Sequence, residues 1–306
     1  MSGNILVLGG NGFIGQHVIN ESLKRNMNVV NISLNSNAIF NSSQITNQFF
    51  DITDSTSPNW MNIKAINFDY VVNCVGYGQH SLFLEGGDNV LKVHFEWIIN
   101  LINNLKRSSL KGFVQLCTSD AYGGHISPQI ESYREMPISS YSAAKTMSAH
   151  FLQMLYREEE FPVKILRLFL PYGPLQRSNM LIPFVIENCL NDNSFKVSKG
   201  DQIRDFLYID DLIRGIFIVL DEPKANGEII NIASGNPIKV KDVILTIIDM
   251  IGKGKPLWGT YPYRKNENMS LYASINKAQQ ILGWNPVVNL NMGLQKTIDF
   301  IYNFKR

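Results

Sequence analysis

Charged side chains make up only 18% of this chain of 306 residues, and they nearly cancel, leaving a formal net charge of +2. A chain so close to neutral has no broad field with which to draw nucleic acid or an anionic membrane, so an anionic partner must be met by local positive groups. Cysteine is scarcer still. Cys74, Cys117 and Cys189 form neither a CxxC pair nor a cluster with histidine, which excludes a disulfide framework and a thiolate metal site and points to a reducing, cytoplasmic setting. No apolar run approaches the ~20 residues of a spanning helix, and Met1-Ser2-Gly3 leads straight into apolar residues 5–8, with no room for a signal peptide. A cytoplasmic protein with no membrane partner, no nucleic-acid partner and no metal is the expectation. What the chain does have is a 45% hydrophobic complement, enough for one large domain or two lobes.

That hydrophobic complement is laid out in a regular alternation. Residues 4–8 form a short apolar run bounded by glycine, and 13–25 carry helix-compatible spacing; strand patterns recur at 28–32, 48–52, 70–75, 112–118 and 163–169. Helical patterns at 90–107 and 141–159 separate the later ones. The alternation predicts an α/β fold, a Rossmann-type doubly wound parallel sheet whose ligands lie at the carboxyl ends of the strands. After 169 a turn is expected at 171–174, helices at 181–190, 210–220, 240–251 and 275–282, and a strand at 228–232 that returns to the main sheet. The dinucleotide-binding domain is then 1–170 with 205–235, and a smaller, discontinuous C-terminal substrate lobe is 171–204 with 236–306. The Asn-rich stretch 28–47 reads as strand and mobile loop rather than as disorder.

Gly9-x-x-Gly12-x-x-Gly15 follows the first strand and opens the first helix. Gly9 suits a tight turn, Gly12 lets backbone amides approach a pyrophosphate at the helix N-terminus, and Gly15 allows close helix–sheet packing. The acid that ordinarily ends the second strand and holds the adenosine ribose is missing, for the strand ends Asn31-Ile32-Ser33-Leu34-Asn35. Its loss removes repulsion against a 2′-phosphate while supplying no arginine, so the expectation is a weak preference for NADP(H) over NAD(H), with Ser33 as the discriminator unless it only caps the loop. Asp51 is placed either to accept from the adenine amino group or to serve as a turn carboxylate.

Tyr141-Ser142-Ala143-Ala144-Lys145 adds a proton donor. Residues four apart share a helix face, so the Lys145 ammonium can lie beside the Tyr141 phenol and the ribose of a bound dinucleotide. A neighbouring cation favours phenolate and draws the phenol towards the pKa that an acid/base needs at cellular pH.

With these residues in place the chain resembles the extended short-chain dehydrogenase/reductase family of nucleotide-sugar epimerases, dehydratases and ketoreductases. The likeness runs over essentially the whole length. It rests on LGGNGFIG ending at Gly15, TSDAYG starting at Thr118, YSAAK starting at Tyr141, Tyr172-Gly173-Pro174, GDQIRDFLYIDD starting at Gly200, YRKNE starting at Tyr263 and LGWNP starting at Leu282. The resemblance implies cofactor contacts at Gly9, Asn11, Gly12, Phe13, Ile14, Gly15, Ser33, Asp51, Ile52, Gly76, Tyr141 and Lys145. It implies Thr118, Tyr141 and Lys145 as the catalytic set, and Thr118, Ser119, Asp120, Arg204 and Arg264 as substrate contacts, the arginines facing phosphate unless they form surface ion pairs. Tyr77, His80 and His125 line the sugar pocket or lie on the surface. A nucleotide-linked sugar as partner and a homodimer are implied as well.

Departures from the family pattern sort the chemistry. Thr118-Ser119-Asp120 lacks the Asp-Glu pair that the 4,6-dehydratases resemble, and Leu170 stands where epimerases tend to have Asn. The expected reaction is reduction of the C4 keto group of a CDP- or dTDP-linked 4-keto-6-deoxyhexose. A 4-epimerase is the alternative, with decarboxylase, dehydratase and non-catalytic dinucleotide binding behind it.

Overall fold

Strand β1 (Asn4–Leu8) is apolar at every position after its first, because it lies in mid-sheet with helices over both faces. The computed structural model describes residues 3–35, 40–76, 82–263 and 267–304. Following β1 come α1 (Phe13–Lys24), β2 (Asn28–Ser33), β3 (Ile45–Phe49), α2 (Asn59–Ala65), β4 (Tyr70–Asn73), α3 (Gly87–Leu91), α4 (Trp97–Asn104), β5 (Gly112–Thr118), α5 (Ser140–Glu159) and β6 (Val163–Leu168). The rest of the chain supplies β7 (Leu170–Tyr172), α6 (Leu181–Leu190), β8 (Ser194–Lys196), β9 (Ile203–Tyr208), α7 (Ile209–Leu220), β10 (Ile229–Ile232), β11 (Pro237–Lys239), α8 (Val240–Ile251), β12 (Lys255–Leu257), β13 (Ser270–Leu271), α9 (Asn276–Leu282) and α10 (Leu290–Phe304).

Seven of these strands form one sheet in the order β10-β6-β5-β4-β1-β2-β3, all pairs parallel. This is the Rossmann arrangement, and the strand order reverses between β1 and β4, where a crevice opens at the carboxyl edge. Side-chain alternation along β1 splits the core in two. Ile5 and Val7 join Val18 and Ile19 of α1 and Ile216 and Leu220 of α7 on one face; Leu6 and Leu8 join Trp97 and Ile98 of α4 and Leu152 and Leu155 of α5 on the other.

The smaller sheet is built around β9, which pairs in parallel with β7 and β13 and antiparallel with β11; β8 and β12 make a further two-stranded ribbon. No helix among the described residues is long and apolar enough to cross a membrane.

Four local expectations change. The third strand lies three residues earlier than 48–52, since Phe50 N–H closes onto Ser33 O and Asp51 opens a turn. The 90–107 helix is broken: a π-helical turn, Lys92–Glu96, separates α3 from α4, and Leu105 turns extended after α4. Pro171-Tyr172 is not a turn but part of β7, held by β9. Strand β9 straddles the expected boundary at 204/205 and belongs to the smaller sheet, while β10 does return to the main one.

Candidate active site

Three segments meet at the crevice: the turn after β1, the residues after β4, and the end of β5 facing the start of α5. In the first, Gly9 has φ +76°, a left-handed conformation that glycine adopts without steric cost, and Gly12 N–H donates to Gly9 O at 2.9 Å. A Cβ on Gly15 would stand 2.3 Å from Gly9 O and 2.6 Å from Gly10 Cα, so only glycine lets α1 sit against its own turn. Helix α1 starts without a side-chain cap and without an acid in its first turn, leaving the amides of Phe13, Ile14 and Gly15 for an anion.

A polar network backs this turn. Ser33 Oγ accepts Asn11 N–H at 3.2 Å and donates to Asn31 Oδ1 at 3.2 Å; Asn31 Nδ2 donates to Asn11 Oδ1 and Asn47 Oδ1; Asn11 Nδ2 reaches Asn35 O. Ser33 is buried and its hydroxyl is committed to the turn, so nothing in its geometry singles out NADP. Asp51 has its carboxylate occupied by Thr53 N–H at 2.9 Å and Thr53 Oγ1 at 2.7 Å, the turn arrangement. Ile52 packs on the core cluster beneath.

Thr118 is the last residue of β5, and its Oγ1 accepts Asp120 N–H at 3.2 Å, which fixes the short 3₁₀ turn carrying Ser119 and Asp120. Helix α5 is started by a capping box in which Ser139 and Ser142 each accept the other's backbone N–H. Tyr141 thus enters at a fixed angle, with its phenol near the Thr118 side chain. One turn on, Lys145 is buried and its Nζ donates to Val75 O at 2.9 Å and Leu116 O at 3.1 Å. The three expected catalytic residues come together.

Their electrostatics differ from the expectation. Burial, and after it the Asp120 carboxylate, push the Tyr141 phenol well above the ordinary tyrosine range. Burial also lowers Lys145 to about 8, against weak support from Cys117 and Cys74. Without ligand, Lys145 spends its protons on two carbonyls and the phenol stays protonated, ready to act as an acid.

Arg204 forms an ion pair with Glu267 and donates from Nη1 to Ile203 O at 2.8 Å. Its expected neighbours are otherwise engaged: Asp205 is buried and accepts from Ser234, Gly235 and Ala273, and Asp201 accepts from Tyr263. Arg264, Tyr77 and His80 lie outside the described residues. His125 stacks on Tyr133 and bonds Arg134 O, away from the catalytic set.

Sequence reasoning passed over two residues. Arg167 of β6 is fully buried, lies 4.5 Å over the Tyr122 ring and pairs with Glu135, which also meets His150. It thereby pins the segment joining Thr118 to Tyr141. His94, in the π-helical turn, sets its ring edge-on to Tyr141 at 5.0 Å and 85°.

A model of the NAD dependent epimerase/dehydratase family matches residues 5–233. The chain belongs to that family. Among curated proteins, dTDP-glucose 4,6-dehydratase 1 of Escherichia coli (strain K12) is 28% identical over 97% of this chain and 92% of its own length. UDP-glucuronate 4-epimerase of Thermodesulfobacterium geofontis is 32% identical over 66% of this chain and 62% of its own. Among solved structures, UDP-glucuronic acid 4-epimerase of Bacillus cereus, in complex with UDP-glucuronic acid and NAD, has a TM-score of 0.84 at 26% identity, covering 98% of this chain and 99% of that one. UDP-glucose 4-epimerase of Thermotoga maritima, with UDP-glucose, reaches 0.91 at 24% identity over 99% and 100%, a likeness of fold. As a member of the epimerase/dehydratase family, the chain is an enzyme of nucleotide-sugar chemistry.

Proposed function

We propose that this enzyme is an NAD-dependent 4-epimerase of a UDP-linked hexose. The observation that carries the reading is the Thr118–Tyr141–Lys145 set at the mouth of the glycine turn, at the point where the strand order reverses. The relatives named above are epimerases and dehydratases, which moves epimerisation ahead of the 4-ketoreductase expected from sequence. The solved relatives add to this: the Bacillus cereus enzyme was seen with NAD, and both solved epimerases with UDP-sugars. The weak leaning to NADP has no support there, and Ser33 offers none. Ser119-Asp120 in place of an Asp-Glu pair keeps dehydration in third place.

The residues present fit a dinucleotide: the uncrowded face of Gly12, where a Cβ would meet only Gly9 O, and the acid-free start of α1 make a cradle for its pyrophosphate, with Asn11, Phe13 and Ile14 around it. A dinucleotide held there would supply the hydride acceptor and donor that C4 chemistry needs. Tyr141, acting as the phenolate that the Lys145 cation stabilises, accepts the proton of the C4 hydroxyl and later gives it back, so its net proton count over a turnover is zero. Thr118 donates to the same oxygen and steadies its charge. Lys145, released from Val75 O and Leu116 O, supplies the cation for the phenol and the ribose. Arg204 and Arg264 are proposed for the substrate diphosphate, which requires Arg204 to leave Glu267.

The second reading, a 4-ketoreductase, keeps one observation in its favour, Leu170 on β7 in place of a polar residue. Cofactor stoichiometry separates the two. The expected result is that purified protein releases NAD to mass spectrometry and interconverts UDP-glucose or UDP-glucuronic acid with none added. Dependence on one reduced cofactor per product would replace the epimerase by the reductase. A homodimer through α4 and α5 is proposed too, since Ile99 and Met147 on those helices are each 43% exposed.

A further inference from the structure

We infer that His94 is a positioning residue for Tyr141, holding the phenol on Thr118; this rests on the epimerase/dehydratase reading of the site. Three separate features converge on this one residue. The helix that carries it departs from α geometry over Lys92–Glu96, a π-helical turn whose extra residue per turn is rare and recurs at functional sites. Ser148 of α5, one turn beyond Lys145, gives its hydroxyl to the His94 carbonyl and so ties that turn to the catalytic helix. On the third side, a Cβ on Gly76 would stand 2.9 Å from His94 Cε1 and 3.2 Å from Lys145 Nζ, so a side chain there would crowd both the ring and the ammonium.

The consequence falls on Tyr141. Tyr141 is the second residue of α5 and remains only partly exposed. The His94 ring meets it at 5.0 Å and 85°, a T-shaped contact that prefers one orientation and turns the hydroxyl towards Thr118 at the end of β5. Ring and hydroxyl are held from two elements at once. Loss of the ring contact frees the phenol from Thr118, and a displacement of about 1 Å at a reacting group is enough to cost roughly 10²-fold in rate.

The test reads Tyr141 directly. Full-length protein is labelled with 3-fluorotyrosine, and its ¹⁹F resonance is assigned by its absence in Tyr141→Phe. In wild type, Thr118→Val should shift that resonance, because the phenol loses its partner. In a His94→Ala background the same change should leave it unmoved, and His94→Phe, which restores a ring, should restore the response. A Thr118→Val shift as large in His94→Ala as in wild type overturns the inference. His94→Leu, which fills the space without an aromatic ring, stands in should the alanine variant not fold. On UDP-glucuronic acid, His94→Ala should lower kcat roughly 10- to 100-fold with NAD affinity unchanged and His94→Phe should recover it; equal kcat in His94→Ala and wild type would also overturn it. No turnover by wild type would count against the proposed function alone, since the resonance still decides the role of His94.

Discussion

At the scale of single residues, Tyr141 and Lys145 carry opposite shifts from one cause. Burial disfavours the charged form of each, raising the phenol and lowering the ammonium to about 8. Replacing Tyr141 by Phe keeps the ring against His94 and removes the transferable proton, so turnover should fall roughly 10²–10⁴-fold with NAD affinity nearly unchanged. Stopped-flow turnover and a fluorescence titration check the two halves. For Lys145 the ammonium form exists below its pKa, so its contribution to NAD binding is whole well below pH 8 and is lost as the pH rises through about 8. NAD affinity should therefore weaken across that range in wild type and stay flat in Lys145→Met; parallel curves would remove Lys145 from the ribose. The Ser33 hydroxyl supports Asn11 N–H, so it should serve both dinucleotides alike. Ser33→Ala should weaken NAD and NADP binding together, and a changed ratio of the two affinities would return the discriminator to this residue.

Among the elements, the junction of β1 and α1 is the tightest. Gly15→Ala drives a methyl to within 2.3 Å of Gly9 O, backbone that no rotamer can relieve, so the helix must lift off its turn. The expected cost is about 1–3 kcal/mol in chemical denaturation, the usual range for overpacking, together with a loss of NAD affinity. Gly12→Ala, whose nearest contact would be 3.1 Å, should be milder. These elements were legible in sequence because strand, turn and helix follow one another within 21 residues, Asn4 to Lys24, and each glycine meets its own neighbours. The π-helical turn was not: apolar spacing runs on through Lys92–Glu96, and the turn's tie to Ser148 comes from 54 residues away in sequence. Arg167 escaped for a similar reason, since a lone basic residue in an apolar strand announces neither Tyr122 beneath it nor Glu135 at its tip. Asp51 and Ser33 sat where the family pattern leads one to look, but their side chains found local partners first.

For the molecule as a whole, the sheet order and the catalytic set agree with each other. The switch point between β1 and β4 receives the glycine turn from one side and Tyr141 and Lys145 from the other, so the turn and the Tyr141–Lys145 pair share one edge of the sheet. If α4 and α5 also pair between two copies, light scattering at micromolar concentration should give twice the chain mass, and Met147→Glu should halve it. The central claim is that the hydride removed from C4 returns to C4, and one isotope experiment follows it. UDP-glucose or UDP-glucuronic acid deuterated at C4 is incubated with the enzyme as purified, and the product is examined by NMR. The account predicts the 4-epimer with deuterium retained at C4 and no net formation of NADH. Deuterium at C6 in a dehydrated product, or no change in either sugar without added reduced cofactor, would contradict it.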